Sequence, residues 1–223
     1  MICAPASAPM SEIFPYVAGD VLQLLNRVKQ VVADGGIVAV PTETYYGLAV
    51  NPFDQQAVDR LLRIKGRAEG KPILVLIGNP GQLSMLVQEV SRAAALLMEK
   101  FWPGPLTILF TAAPLLPNNL TAGTGTIGVR FSSCSPLTEL LTVTGPLTGT
   151  SANRAGDSPA QDASRIQESL GQDIALIIDA GPTPGGPPST VIDARKTVRV
   201  IREGAVTRQM LSNVLQTEGI SLI

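Results

Sequence analysis

Apolar residues recur at helical spacing at Val21, Leu24, Leu25, Val28, Val31 and Val32. Asp20 can cap that run and Gly35-Gly36 ends it, so the pattern predicts a helix over 20–34. The period then changes. Ile37 to Val40 is a short β-branched run stopped by Pro41, which reads as a buried strand with the polar stretch PTETYYGL at its end. The same reading predicts helices at about 54–65, 80–87, 91–101, 136–143, 162–170 and 207–215. It predicts strands at 73–77, 106–110, 127–131, 147–150, 174–178, 191–192 and 198–201. Pro103 and Pro105 in WPGPLT mark a turn. GPTPGGPP at 181–188 is a loop rich enough in Gly and Pro to be mobile, and too short to link two domains. Helices and strands are interleaved along the chain. This predicts one α/β domain with a twisted mixed β-sheet and flanking helices.

The domain is expected over 13–223, after a disordered leader at 1–12. The leader MICAPASAPMSE has neither a positive start nor an apolar core, so it does not read as a convincing secretory signal. No run reaches the ~18 apolar residues of a membrane helix. With 223 residues, 45% of them hydrophobic and 16% charged, the chain can bury a sizeable core and is not disordered.

Composition excludes several chemistries. There is no histidine, hence no Ser-His-Asp triad, no Cys-His pair and no HExxH zinc site. Two cysteines, Cys3 and Cys134, make neither a CxxC site nor a disulfide framework, which suits a reduced, cytoplasmic setting. The formal net charge of −1 gives no overall case for nucleic-acid binding. Twelve of the 17 cations are Arg, whose planar fork suits carboxylate and phosphate. Gly123 to Gly128 fits GxGxxG but precedes a strand instead of following one, so it reads as a turn. GRAEGKP lacks the spacing and the Ser/Thr of a phosphate-binding P-loop.

Three polar clusters stand beside apolar strands. Lys65, Arg67 and Lys71 can cradle a polyphosphate, or are the solvated cations of a helix end. Thr150-Ser151-Ala152-Asn153 can present hydroxyl and amide groups to a ligand, or simply turn the chain. Ser189 and Thr190 end the Gly/Pro loop, where backbone N–H groups can bind an anion or start a strand. Arg130 and Arg202 each lie on an apolar strand and need a partner, either a ligand anion or an internal carboxylate.

Taken together and in order, VPTETYYGL (40–48), KGRAEGKPI (65–73), WPGPLT (102–107), IGVR (127–130), TSAN (150–153) and PSTVID (188–193) resemble the YrdC-like family of threonylcarbamoyl-AMP synthases. The resemblance spans residues 20–204. It implies a concave central cavity and a reaction that joins L-threonine, bicarbonate or CO₂, and ATP into L-threonylcarbamoyl-adenylate and pyrophosphate, for the t6A modification of tRNA. It implies that Lys65, Arg67, Ser151 and Asn153 are catalytic and bind ATP together with Arg202. It further implies that Thr42, Arg130 and Ser189 bind threonine. Mg²⁺ accompanies ATP, with no protein metal cage. The implied partners are a downstream tRNA threonylcarbamoyl transferase complex and, weakly, tRNA. Ala68 replaces the proline common after KxR, Leu76 stands where some relatives have His, and Ala155-Gly156 replaces Ser-Gly. The chain resembles the short, single-domain type. The alternatives are a paralogue that binds RNA, or one that uses another amino acid or carbamoyl substrate.

Overall fold

The computed structural model describes residues 10–17, 21–66 and 72–223. In chain order the elements are β1 (Glu12–Pro15), α1 (Leu22–Ala33), β2 (Val38–Val40), β3 (Gly47–Ala49), α2 (Gln55–Ile64), β4 (Leu74–Ile77), α3 (Arg92–Phe101), β5 (Leu106–Thr111) and β6 (Thr126–Phe131). They continue with α4 (Ser135–Thr144), β7 (Leu147–Thr148), β8 (Thr150–Ser151), α5 (Ala163–Leu170), β9 (Leu176–Asp179), β10 (Thr190–Asp193), β11 (Arg199–Arg202) and α6 (Arg208–Gln216). The α/β class, mixed pairing and flanking helices follow the predicted order. The strands are shared between two sheets, ordered β1-β9-β2-β3-β8 and β11-β10-β5-β6-β4-β7.

Capping side chains start the helices. Asp54 accepts hydrogen bonds from the amides of Gln56 and Ala57 at α2, and Asp162 from Arg165 at α5. Ser91 and Thr207 do the same for α3 and α6. Asp20, the expected cap of α1, lies outside the described residues. Pro80–Met85 is a 3₁₀ turn where the pattern predicts a helix. Its Pro-Gly start supports only a short, tighter coil.

Two strands were not legible as strands. β1 straddles the expected boundary between leader and domain, where the pattern predicts no strand, and β3 falls in the polar strand end. Residues 1–9 of the expected leader lie outside the described residues. Ser11 is buried, its amide donates to Gly171 O, and Glu12 opens β1 beside β9. The run 147–150 is two strands and not one. β7 joins the second sheet and β8 the first, with Gly149 between them. A Cβ on Gly149 would lie 2.6 Å from Leu76 Cδ1, so the chain crosses between sheets where a side chain has no room. Of the Gly123–Gly128 stretch, residues 123–125 are a turn with positive φ at Gly123 and Gly125, and 126–128 open β6.

Period-2 alternation sorts the faces. On β2 and β9, Val38, Val40, Leu176 and Ile178 pack against α1 and α4, while Ala39 and Ile177 face the larger core. On the second sheet, Ile108, Phe110, Ile127, Val129 and Ile192 face that core with α3 and α6. The alternate residues of β4, β5, β6 and β10 face the other way, into a hollow between the sheets.

Asp193, at the end of β10, is buried and accepts hydrogen bonds from Arg195 Nε at 3.0 Å and Nη2 at 2.8 Å. Arg199 Nη2 adds a 3.3 Å contact. Arg195 hydrogen bonding chiefly pulls the carboxyl from 3.8 to about 2. A depressed folded pKa adds stability above the unfolded value, lost as pH falls through the folded one. Asp193→Asn is therefore expected to destabilise the chain at neutral pH by about 1.5–3 kcal/mol, the worth of hydrogen bonds to a charged group. Urea midpoints measured down to acid pH should show that gap narrowing between about 4 and 2.

Candidate active site

The hollow is a cavity of about 560 Å³, a volume suited to a small organic ligand. Strand register builds its floor. Arg202 pairs with Val191, Val191 with Thr107, and Leu76 with Arg130. Thr107 precedes Ile108, the partner of Val129, so the antiparallel ladder sets it beside Arg130. One cross-strand row thus carries both arginines into the cavity. Leu109, Gly128 and Leu74 form a second row.

Arg130 is buried, and its Nη2 pairs with Glu43, which also accepts a hydrogen bond from Ser132 Oγ. The internal-carboxylate alternative is thus realised, while Arg130 still lines the cavity. Arg202 lies at the cavity's edge and donates to Ser189 O at 2.8 Å. Burial, and then the like charge of Arg130, push its guanidinium down from the usual arginine range. The Ser189 and Thr107 hydroxyls share a 3.2 Å hydrogen bond.

The opposite wall comes from the turn after β2 and from β8. Thr42 Oγ1 donates to Tyr45 O at 2.7 Å and accepts from the Thr44 amide, an arrangement that tightens the turn. Tyr46 is buried; its hydroxyl donates to Gly181 O at 2.8 Å, and burial pushes its phenol up to about 12. Tyr45 Oη donates to Gly186 O at 3.0 Å, and the Gly185 amide donates to Thr44 O at 2.8 Å. The Gly/Pro loop is therefore stitched to this turn along its length, where its composition alone suggested mobility.

Lys65 stands at the end of α2, buried behind Ser151. Its ammonium donates to Ser151 O at 2.8 Å, Asn153 O at 2.7 Å and Asn153 Oδ1 at 2.8 Å. Ser151 Oγ donates to Asn153 Oδ1 at 2.6 Å, and Asn153 Nδ2 to Asp157 O at 2.6 Å. Thr42, Arg130, Ser151, Ser189 and Arg202 therefore line the cavity, and Lys65 and Asn153 shape the turn that presents Ser151. Arg67 lies outside the described residues.

Sequence reasoning gave no role to Glu43, Ser132 or Thr107. The unmet need of Arg130 for a partner was a signal for Glu43. Period-2 counting along 106–110 was one for Thr107. Cys134 has its thiol pushed up by burial, so it is no ready nucleophile. Among the described residues no three His, Cys, Asp or Glu side chains form a metal-binding group, and no helix is long and apolar enough to cross a membrane.

Known proteins share this architecture. A Mycobacterium tuberculosis protein provisionally named threonylcarbamoyl-AMP synthase is 36% identical over 189 residues, covering 84% of this chain and 87% of that protein. A Pyrococcus abyssi threonylcarbamoyl-AMP synthase is 34% identical over 186 residues, covering 82% of this chain and 55% of that protein. The P. abyssi Sua5 structure complexed with L-threonine superposes with a TM-score of 0.86 at 29% identity, over 96% of this chain and 63% of that one. Escherichia coli YciO superposes at 0.80 with 29% identity, over 88% and 97%. The family model of the Sua5, YciO and YrdC proteins, described as "Telomere recombination", matches residues 30–204. With that match, and with 36% identity to the Mycobacterium tuberculosis protein over most of both chains, the chain belongs to the Sua5/YciO/YrdC family.

Proposed function

We propose that this chain is an L-threonylcarbamoyl-adenylate synthase. The observation that carries the reading is the single floor row with two guanidiniums, facing the Ser151 turn across one cavity. Such a hollow can take two anionic substrates side by side. The likeness to a Sua5 structure complexed with L-threonine points to the amino acid.

In this reading Arg130 takes the threonine carboxylate with the guanidinium nitrogen that Glu43 leaves open, and Thr42 and Ser189 contact the amino acid. Arg202 and Ser151 face the nucleotide, and Lys65 and Asn153 hold Ser151 in place. Arg67 is assigned to the phosphates on the family resemblance alone. The threonine amine and bicarbonate form a carbamate with loss of water. The carbamate oxygen attacks the α-phosphorus of ATP, the bond to the β-phosphate oxygen breaks, and pyrophosphate leaves with its electron pair. Positioning and cationic stabilisation suffice for such a transfer, so no protein nucleophile is required. Mg²⁺ enters as part of the MgATP substrate, its charge offsetting that of the phosphates. The adenylate is then consumed by a tRNA-modifying transferase. A weak contact with tRNA is part of the same proposal, as is a cytoplasmic site of action.

Leu76 beside Arg130 offers an apolar contact for the threonine methyl. One methyl in such a site is worth roughly 10–200-fold. Protein supplied with MgATP, bicarbonate and L-threonine is expected to release pyrophosphate, and to do so at least about tenfold more slowly with L-serine. Release that ignores the amino acid would refute the reading.

A further inference from the structure

Arg130 and Arg202 share one row of one sheet but differ in charge balance. Arg202 has no carboxylate partner among the described residues, and its contacts are with Ser189. Arg130 is paired with Glu43, whose side chain is 17% exposed against 5% for Arg130. Ser132 fixes the second oxygen of Glu43. Arg130 Nε and Nη2 are covered and make no hydrogen bond of ordinary geometry among the described residues, so Glu43 is the fixed counter-charge on that edge of the fork. Glu43 does not line the cavity; it acts on ligands through Arg130 and through its field.

We infer that Glu43 is a specificity-determining residue that sorts the two substrate anions. It leaves the Arg130 end of the cavity near neutral, fit for a monocarboxylate. A polyphosphate there would face the Glu43 charge, and is turned toward Arg202. This inference rests on the reading that amino acid and nucleotide share the cavity. A unit charge at the range of a neighbouring side chain, at an effective dielectric of about 20, shifts anion affinity about tenfold or more per ligand charge.

Titration calorimetry with pyrophosphate and L-threonine tests this. In the unaltered chain both ligands should bind together. In Glu43→Gln, an isosteric change, pyrophosphate affinity should rise by at least about tenfold, since pyrophosphate carries more than one charge, and pyrophosphate should displace L-threonine. The rise should vanish in Glu43→Gln/Arg130→Gln. A merely structural role for Glu43 cannot produce a gain of binding, so unchanged or weaker pyrophosphate binding in Glu43→Gln overturns the inference. Should that variant not fold, the unaltered chain decides. Pyrophosphate must then leave L-threonine affinity within about twofold, and competition between them contradicts the sorting. If no form binds L-threonine, the functional reading fails, while the pyrophosphate comparison still decides the role of Glu43.

Discussion

Lys65→Met should lower kcat/KM for pyrophosphate release about a hundredfold, the effect of losing close to 3 kcal/mol of positioning. The ammonium is buried and donates to three oxygens of Ser151 and Asn153. Methionine matches the stem but offers no donor, leaving two carbonyls and an amide oxygen without their charged partner. Each such hydrogen bond contributes about 1.5–3 kcal/mol. The turn carrying Ser151 then loses its anchor at the cavity wall. Arginine should not rescue, because a planar fork cannot converge on three oxygens that surround a point charge. Steady-state rates and thermal melts on the same samples separate lost positioning from lost folding. Turnover equal to that of the unaltered chain would remove Lys65 from the site.

Arg130→Ala is expected to act twice. It leaves Glu43 behind the floor with only Ser132 beside it, and breaking a buried pair on one side costs about 3–5 kcal/mol. It also removes the proposed carboxylate clamp, so KM for L-threonine should rise roughly 10–100-fold, the loss of one charge-assisted hydrogen bond. Arg130→Ala/Glu43→Ala divides the two effects. Stability should largely return, because no buried charge is left alone, while the threonine KM stays high. If the double variant regained threonine affinity, Arg130 would be no clamp.

Most elements were legible because local pattern and tertiary role coincide. The α1 stripe of Leu24, Val28, Val31 and Val32 is the buried face, and α2 begins just after Asp54, where the pattern places its start. Strands that depend on distant partners were not legible. β3 has three buried residues without alternation, and forms because β2 and β8 flank it. The split at Gly149 is set by Leu76, 73 positions earlier in the chain, and no local pattern carries that information. The site shows the same division. Motif order placed Thr42, Arg130, Ser151, Ser189 and Arg202 around one cavity. The direction of Lys65 toward backbone carbonyls, and the choice of Glu43 as the partner of Arg130, emerge only when α2, β8 and the turn after β2 meet in space.

The central claim is that one cavity joins a carbamate of L-threonine to the α-phosphorus of ATP. The most direct measurement supplies ¹³C-bicarbonate with MgATP and L-threonine, and weighs the nucleotide product by mass spectrometry. The account predicts an adenylate with the mass of L-threonylcarbamoyl-AMP carrying the label, formed in step with pyrophosphate. A product that contains AMP but neither threonine nor the labelled carbon, or no adenylate from folded protein, would contradict it.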